Sequence, residues 1–353
     1  MEEKKTGRKF IYGVIALLAF ALFCGFLFYI RIEIQKSIFT SVQGSLRLRE
    51  VADLRHKTIY KKIQKWIHDS EETTLIFMGD IMLSRGVDLK MRRIGDYTFP
   101  FFYIASTTRM ADVAFGNLEG PISARGKNQG SEYSFRANLR VIEGLVFAGF
   151  DVLSLANNHI WDWGSDALSD TIDILKENAI VSVGAGRNAE EANRPAIIMK
   201  GDRRIIFFAY TNLYPPSLYA EGDRPGVSDF KEEKIAEYIR NETTHSDIVV
   251  VSMHWGNEYE SLANEEQKRI SRALIDAGAD IIVGHHPHVS QEIERYKEGW
   301  IAYSLGNFVF DQNFSEETMK GIVLHASARR GIVEKMDVKE IKINKDFQPA
   351  FLE

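Results

Sequence analysis

The chain has 353 residues, of which 45% are hydrophobic and 26% are charged, and both fractions are ordinary for a globular protein. This length allows one large domain or two small ones. The net charge of −5 gives no general attraction to nucleic acid. We therefore expect no nucleic-acid partner, and local basic groups would have to bind any anion.

A long apolar segment near the N-terminus separates a short basic segment from the rest of the chain. Residues 10–30 carry no charge, and their length suits a helix that crosses a hydrocarbon core of about 30 Å. The preceding basic residues are Lys4, Lys5, Arg8 and Lys9. Because positive residues favour the cytoplasmic side, we predict a cytoplasmic segment at 1–9, a single-pass signal anchor at 10–30 and an extracytoplasmic main domain at the cell membrane. A cleaved signal peptide is the alternative.

The remaining chain divides into a connector and one α/β domain. Residues 31–72 mix charged and scattered apolar positions, which we interpret as a stalk or connector. Over residues 73–353, short apolar strands alternate with helical patterns, which is typical of an α/β domain with largely parallel strands. The predicted strands are Thr74–Met78, Val113–Phe115, Val152–Leu155, Val181–Val183, Ile205–Ala209, Ile248–Ser252, Ile281–Val283 and Ile301–Ser304. The predicted helices are Leu139–Ala148, Asp166–Asn178, Glu232–Asn241 and Glu265–Ala277.

Polar residues follow six of these strands. In α/β sheets, ligands gather at the carboxyl ends of the strands. The polar residues at these ends are Asp80, Glu119, Asn157, Asn158, His159, His254, His285, His286, His288 and Asn307. Carboxylates, amide oxygens and imidazoles form a mixed oxygen and nitrogen ligand set, not a thiolate site. Such a set suits Mn, Fe or Zn. The sequence therefore predicts a metal site at this edge.

Three of the nine histidines lie within four residues, directly after the predicted strand Ile281–Val283. They are His285, His286 and His288, and Pro287 stiffens their loop. Imidazole is the commonest protein ligand of transition metals. Histidines two positions apart in an extended loop usually point apart, so they could serve two ions or one ion from two sides. The alternative is a histidine-rich surface turn.

Single residues of this set also have structural interpretations. Asp80 could cap a helix over residues 81–90, and Asn157 could be a turn residue. Asp162 could either orient His159 or begin a helix. Together, however, the structural interpretations require six independent coincidences at strand ends, so we favour a shared site.

The ordered motifs resemble those of a known family. They are Gly-Asp at 79–80, Asn-Leu-Glu at 117–119, Asn-Asn-His at 157–159, His-Trp-Gly at 254–256, Gly-His-His-Pro-His at 284–288 and Ser-Leu-Gly-Asn-Phe at 304–308. Over residues 73–315 they resemble the capsule-synthesis CapA/PgsA family, membrane-anchored proteins linked to poly-γ-glutamate capsule production. That family is similar in fold to calcineurin-like metallophosphoesterases. The resemblance therefore implies a four-layer α-β-β-α sandwich.

The resemblance also implies roles for individual residues. The metal ligands that it implies are Asp80, Glu119, Asn158, His254, His286 and His288. It makes His159 the catalytic histidine that contacts the reacting group, and we add Asp162 as the residue that orients it. We assign Arg85, Asn307 and His285 to substrate binding, with a solvated surface position as the alternative for Arg85.

The chain departs from the metallophosphoesterase pattern at three positions. Met82 replaces a histidine of the first motif, Glu119 replaces an aspartate that bridges two ions, and His285 is an extra histidine. The expected cofactors are two divalent ions, Mn, Fe or Zn. Because a thioether is a weak ligand, we expect the ion position beside Met82 to be less fully occupied.

From the resemblance we expect a membrane-anchored component of poly-γ-glutamate capsule synthesis or export. It would work beside other membrane proteins of a capsule synthesis complex, and its metal site would bind or process the anionic polyglutamate. The alternative is an extracytoplasmic metal-dependent phosphoesterase or another hydrolase that acts alone. The sequence leaves open whether the site catalyses a reaction.

Overall fold

The computed structural model describes residues 72–201, 203–243 and 248–352. The predicted signal anchor at 10–30 and the connector up to residue 71 lie outside the described residues. Within the described ranges, no helix combines the length and the apolar character that a bilayer crossing requires.

Strands and helices alternate through the described part of the chain. The strands are β1 (Thr73–Ile81), β2 (Val113–Leu118), β3 (Val152–Ser154), β4 (Val181–Val183), β5 (Ala185–Gly186), β6 (Ala196–Lys200), β7 (Arg203–Thr211), β8 (Gly226–Val227), β9 (Ile248–His254), β10 (Ile281–His285), β11 (Ile293–Tyr296), β12 (Gly299–Ala302), β13 (Asn307–Val309), β14 (Lys320–Arg329), β15 (Ile332–Ile343) and β16 (Pro349–Phe351). The α-helices are α1 (Arg85–Ile94), α2 (Ala105–Thr108), α3 (Val141–Ala148), α4 (Gly164–Glu177), α5 (Ala189–Asn193), α6 (Glu232–Thr243) and α7 (Glu265–Asp276). Short 3₁₀ helices are Phe99–Phe101, Pro216–Leu218 and Glu317–Met319.

Two large sheets contain most of these strands. The first has the order β16-β15-β14-β1-β2-β3-β4, with β13 also paired to β1, and the second has the order β11-β12-β10-β9-β7-β6. The first sheet is parallel from β1 to β4 and antiparallel from β1 through β14 to β16. The second sheet is parallel at its centre and antiparallel at both edges, where β6 lies beside β7 and β11 beside β12. Strands β5 and β8 form a small separate pair. The fold is therefore α/β with mixed sheets.

The two large sheets pack face to face through a buried apolar cluster. Phe115 of β2 stacks on Phe207 of β7 with ring centroids 5.5 Å apart, and Val250 and Val283 belong to the same cluster. A second cluster joins the first sheet to α1, α3 and α4, and a third joins the second sheet to α6 and α7. Successive strand residues face opposite sides, so each large sheet is covered on both faces. The layer order is helix, sheet, sheet, helix.

Each of the predicted strands and helices overlaps an element of the structure. Two helix ends have recognisable capping residues. Gly149, whose φ of 81° is left-handed, caps the C-terminus of α3, and a capping box between Asn264 and Gln267 begins α7. One alternative is wrong. Helix α1 begins after Ser84 and Asp80 lies inside β1, so Asp80 does not cap a helix.

Two glycines, Gly79 and Gly284, allow residues 303–306 to pass close to the carboxyl ends of β1 and β10. A Cβ at Gly79 would lie 2.0 Å from the carbonyl oxygen of Gly306, and a Cβ at Gly284 would lie 1.8 Å from the carbonyl oxygen of Tyr303. Neither distance leaves room for a side chain. This segment therefore ties the carboxyl end of β1 in the first sheet to the carboxyl end of β10 in the second.

Candidate metal centre

The carboxyl ends of strands from both sheets meet at one place. Asp80 lies near the end of β1, Glu119 directly follows β2, and His254 is the last residue of β9. The contacts described below link all of the predicted metal ligands to one another or to a shared neighbour. They are Asp80, Glu119, Asn158, His254, His286 and His288.

Asp80 is fully buried and accepts hydrogen bonds from two directions. Its Oδ1 accepts from Asn117 Nδ2 at 2.9 Å, and its Oδ2 accepts from the backbone N–H of His286 at 3.1 Å. Nδ1 of His288 lies 3.6 Å from Oδ2. Burial raises the pKa of Asp80, but the His285 and His288 imidazoles lower it by more, so this pKa lies below its ordinary value. Asp80 is therefore held as an anion facing the histidine loop.

Asn117 of β2, which is not among the predicted site residues, connects the polar side chains of the centre. Its Nδ2 donates to Asp80 and lies 3.4 Å from Glu119 Oε1 and 3.3 Å from His254 Nδ1. Its Oδ1 accepts from Asn157 Nδ2 at 3.2 Å. The available signal was an amide within a buried apolar strand, because such a group needs partners. Asn157 supports this amide.

Glu119 is almost completely buried, with 2% of its surface exposed. Its Oε1 lies 3.9 Å from His254 Nδ1, while its Oε2 has no hydrogen-bond partner among the described residues. Burial and the neighbouring Asp80 and Glu258 carboxylates raise the pKa of Glu119 well above its ordinary value. A buried carboxylate that lacks partners is costly. A cation held beside Glu119 and Asp80 would remove this cost.

Asn158 and His254 approach each other across the two sheets. Asn158 Oδ1 lies 2.8 Å from His254 Nε2. Two ligands that each lie about 2.0–2.2 Å from one ion, at a right angle, are roughly 3 Å apart. Burial and the nearby His286 imidazole lower the pKa of His254 well below its ordinary value. His254 is therefore neutral, which is the form that binds metal, and it is spaced as a neighbour of Asn158 on one ion.

The histidine loop after β10 has an unusual backbone. His286 has φ 96° and His288 has φ 59°, both in the left-handed region that residues other than glycine rarely adopt. These turns place the two rings 5.8 Å apart, and the His286 ring 4.9 Å from that of His254. The expectation that His286 and His288 point apart is therefore wrong. Strain of this kind concentrates at functional sites, where the surroundings hold it.

His286 is 7% exposed, and its Nδ1 has no hydrogen-bond partner within the described part of the chain. Burial, together with a smaller contribution from the neighbouring His288, lowers the pKa of His286 to about 3. A neutral imidazole with an unpartnered buried nitrogen is available to a metal ion.

Asn307 orients His288. The Nδ1 of His288 lies 3.0 Å from Asn307 Oδ1, while the amide nitrogen of Asn307 donates to Gln312 Oε1 and to the Thr318 carbonyl. Because Nδ1 donates to an amide oxygen, Nε2 of His288 is left for a metal, as is usual for ligating histidines. Burial lowers the pKa of His288 and favours the neutral ring. Asn307 was predicted to bind substrate, but its polar atoms are taken up by these contacts.

His159 and Asp162 form a hydrogen-bonded pair beside these ligands. His159 Nδ1 lies 2.9 Å from Asp162 Oδ2, and its ring packs on Phe135 with centroids 4.0 Å apart. Asp162 also accepts from Ser131 Oγ at 2.7 Å and from the Phe135 backbone N–H at 2.8 Å. Helix α4 begins at Gly164, and Asp162 does not cap it. Of the two interpretations of Asp162, its contacts favour the one in which it orients His159.

The other two predicted substrate-binding residues differ in position. His285 is completely buried, and its Nδ1 lies 3.2 Å from Asp80 Oδ1. A substrate cannot reach it, so we reassign His285 to the support of Asp80. Arg85 is one-third exposed, pairs with Asp311 and lies over the Phe135 ring at 5.0 Å. Because Phe135 also touches His159, this arginine lies near His159. We call the solvent-exposed edge of the centre, where Arg85, His159 and Glu258 retain exposed surface, its open side.

Met82 does not offer its sulfur to the centre. Its Sδ accepts from Ser84 Oγ at 2.9 Å and from the Ser84 backbone N–H at 3.2 Å. The side chain is fully buried. The first motif therefore offers one candidate ligand, Asp80, where the resemblance led us to expect a pattern with two.

Two overlapping groups of side chains in the described ranges, which share His288, could hold a metal ion. In both groups the ligand atoms lie within 4.8 Å of one another. The first group is Asp80, Glu119 and His288, and the second is Glu258, His286 and His288. Glu119, whose Oε2 is unpartnered, belongs to the first group, and His286, whose Nδ1 is unpartnered, belongs to the second. Carboxylates with imidazoles suit Mn, Fe or Zn, so the residues present fit divalent ions.

Two relatives of known family match most of the domain in sequence. The capsule biosynthesis protein CapA of Bacillus anthracis is 32% identical over 286 residues, which cover 78% of this chain and 66% of that protein. The PGA biosynthesis protein CapA of Bacillus subtilis is 35% identical over 258 residues, which cover 72% of this chain and 68% of that protein. The chain thus spans about two thirds of the length of these relatives.

A solved structure with a similar fold is a 5′-nucleotidase candidate from Staphylococcus aureus. It aligns with a TM-score of 0.51 and 17% identity over 80% of this chain and 55% of that chain. At this identity the likeness concerns the fold alone. The family model of the bacterial capsule synthesis protein PGA_cap matches residues 74–312, which include every predicted metal ligand. The chain belongs to the bacterial capsule synthesis protein PGA_cap family.

Proposed function

We propose that this protein is a membrane-anchored component of poly-γ-glutamate capsule synthesis or export, and that its metal centre binds or processes the anionic polymer. One observation carries the proposal. In a chain of the PGA_cap family, buried carboxylates and neutral imidazoles converge with unpartnered atoms at Glu119 and His286. Two relatives are named for capsule biosynthesis and PGA biosynthesis, which supports the same role.

The chemistry of the donor set suits a polymer of carboxylates and amides. Divalent ions held there would act as Lewis acids toward a carbonyl, carboxylate or phosphoryl oxygen. The ligands proposed for them are Asp80, Glu119, Asn158, His254, His286 and His288. Arg85 pairs with Asp311 through Nε and Nη2, so its Nη1 could still donate to a carboxylate of the polymer.

His159 is proposed as the group that handles a proton. Its Nδ1 is engaged by Asp162, so its Nε2 is the nitrogen that can donate to a leaving group or stabilise negative charge. The ring is fixed by the Phe135 contact, and its side chain is 12% exposed. A histidine that is oriented and still accessible favours processing of the polymer over binding alone.

The location and partners are part of the same proposal. The apolar segment at 10–30 would anchor the protein in the cell membrane, with the N-terminus in the cytoplasm and the metal centre outside. Other membrane proteins of the capsule synthesis complex would then be its neighbours, and the extracytoplasmic centre would meet the polymer as it leaves the membrane.

A second candidate function is an extracytoplasmic metal-dependent phosphoesterase that acts alone. The His159–Asp162 pair beside two ligand groups favours it, because metal centres of this composition serve phosphate esters well. Metal-dependent hydrolysis of a model phosphodiester that is lost in His159→Ala, together with normal capsule in cells that carry that variant, would favour this function over the first.

The proposal is tested in a capsule-forming strain that lacks its own member of this family. The full-length chain should restore surface polyglutamate, and the double variant His286→Ala/His288→Ala should not. His325→Gln is the matched control, because His325 lies in β14 and is not one of the ligands. Elemental analysis of the purified full chain should find divalent metal in the wild type and in His325→Gln only. Normal polymer from the double variant, or a wild type that holds no metal, contradicts the proposal.

A further inference from the structure

Glu258 is a carboxylate at the open side of the centre. It belongs neither to the family motifs nor to the predicted site residues. It follows His254 by four residues in the loop between β9 and α7. One of its oxygens and one ring nitrogen each of His286 and His288 lie within 4.8 Å of one another. An exposed carboxylate alone carries little weight, so the surrounding contacts decide its role.

The backbone on both sides of Glu258 is fixed against the histidine loop. The Tyr259 N–H donates to the Pro287 carbonyl at 2.8 Å, and the Trp255 N–H donates to the His285 carbonyl at 3.1 Å. Tyr259 has φ 65°, a left-handed conformation that these contacts hold in place. The loop therefore presents Glu258 to the two histidines in a defined position.

An unpartnered ligand lies in the same group. His286 is more than nine-tenths buried, and its Nδ1 lacks a hydrogen-bond partner within the described ranges. The first motif is also one donor short, because the sulfur of Met82 is taken up by Ser84. A pair of divalent ions would then meet only two carboxylates, Asp80 and Glu119, among the predicted ligands.

We infer that Glu258 is a metal ligand, which closes the open side of the centre and supplies the donor that the first motif lacks. With Glu258 the centre has three carboxylates, and the ligand set of His286, His288 and Glu258 becomes a three-point site for one ion. A carboxylate is a suitable replacement, because Mn, Fe and Zn accept oxygen and nitrogen ligands together. The inference rests on the metal centre of the proposed function.

The test is Mn²⁺ and Zn²⁺ binding to the full-length chain, purified in detergent, by titration calorimetry. Glu258→Gln keeps the shape of the side chain and removes its charge, and Glu260→Gln makes the same change two residues away on the same exposed loop. We expect Glu258→Gln to lose one ion or to bind it at least about 10-fold more weakly, since the loss of even an outer partner costs that much. Glu260→Gln should bind like the wild type.

The outcomes separate this inference from the proposed function. If Glu258→Gln binds both ions like the wild type, Glu258 is not a ligand, while the metal centre itself stands. If the wild type binds neither Mn²⁺ nor Zn²⁺, both conclusions are wrong. Thermal unfolding of the metal-free variants checks that Glu258→Gln is folded, and Glu258→Asp, which keeps the charge, should retain part of the affinity.

Discussion

The two sheets contribute different kinds of ligand to the candidate metal centre. The first sheet supplies oxygen atoms from Asp80, Glu119 and Asn158, which we call the oxygen side. The second sheet supplies ring nitrogens from His254, His286 and His288, which we call the nitrogen side. The oxygen side follows regular strands and is organised by the Asn117 amide. The nitrogen side includes two residues with left-handed backbone.

This difference indicates which side depends on the other. The His286 backbone N–H is held by Asp80, and the His288 ring is held by Asn307 of β13, which pairs with β1. Both contacts come from the first sheet. The strained conformation of the nitrogen side therefore persists because the first sheet fixes it. Residues 303–306, which pack on Gly284 at one end and on Gly79 at the other, tie the two sheets together there.

The largest effect is expected from Gly284→Ala, which separates the two sides. Its new Cβ would lie 1.8 Å from the Tyr303 carbonyl oxygen, so the backbone must move. We expect a loss of about 3 kcal/mol or more in the free energy of unfolding, measured by urea denaturation. Gly130→Ala separates strain from steric clash, because its new Cβ meets open space but its φ of 91° is left-handed. We expect it to lose only about 1–2 kcal/mol. A Gly284→Ala variant within about 1 kcal/mol of the wild type would show that the sheets are not tightly coupled there.

Removing the ions should destabilise the protein by the next largest amount. An ion present at about 100-fold its dissociation constant stabilises the fold by about 2.7 kcal/mol per site. A chelator should therefore lower the Tm of the wild type and leave Asp80→Asn nearly unchanged, because Asp80 joins the two sides. Equal Tm values for the wild type with and without chelator would mean that no ion bridges the sides.

Acid should weaken the nitrogen side of the metal-free protein. Burial lowers the pKa of His286 from 6.5 to about 3, so between these pH values the unfolded chain binds a proton that the folded chain does not. This stability is fully present above pH 6.5 and is lost as the pH falls, by up to about 1.4 kcal/mol per pH unit for each such histidine.

Glu119 of the oxygen side acts in the opposite direction. Its pKa is raised by burial, so it contributes stability in acid that is lost as the pH rises above its ordinary value of 4.5. Urea denaturation at about pH 7 and about pH 5.5 measures how far the free energy of unfolding falls between these pH values. This fall should be smaller for His286→Gln than for the wild type, because the variant lacks the imidazole. A fall of the same size would indicate that His286 is protonated in the folded protein.

The smallest effect is expected from Met82→Leu, which tests whether the oxygen side includes sulfur. The two side chains have similar volumes, so the free energy of unfolding should fall by less than about 1.5 kcal/mol. Because Ser84 occupies the sulfur, metal content should not change. A loss of metal in Met82→Leu, measured by elemental analysis, would make Met82 a ligand.

The strand ends of the site were predictable from the sequence because their signals are local. Apolar runs such as Ile281–Val283 were followed directly by polar residues, and each such run is a strand in the structure. The antiparallel pair β14 and β15 was missed, although the positive φ values of Arg330 and Gly331 form the tight turn that an Arg-Gly step allows.

The contacts that define the centre were not predictable, because they join residues far apart in the sequence. Asn117 and Glu258 acquire their roles only where β2 meets β9 and the histidine loop. The contact between the Met82 sulfur and Ser84 is the exception, because it is local and depends on the bend between β1 and α1. The burial that takes His285 away from substrate depends on the packing of both sheets.

Asn117 has a consequence for how the centre behaves when conditions change. Most groups around it can gain or lose a proton, including Asp80, Glu119 and His254. An amide has no such equilibrium, so Asn117 donates the same hydrogens in acid and at neutral pH. The element that sets the spacing between the carboxylates and the imidazole is therefore insensitive to pH, and acidification would change the charge of the centre before it changed its shape.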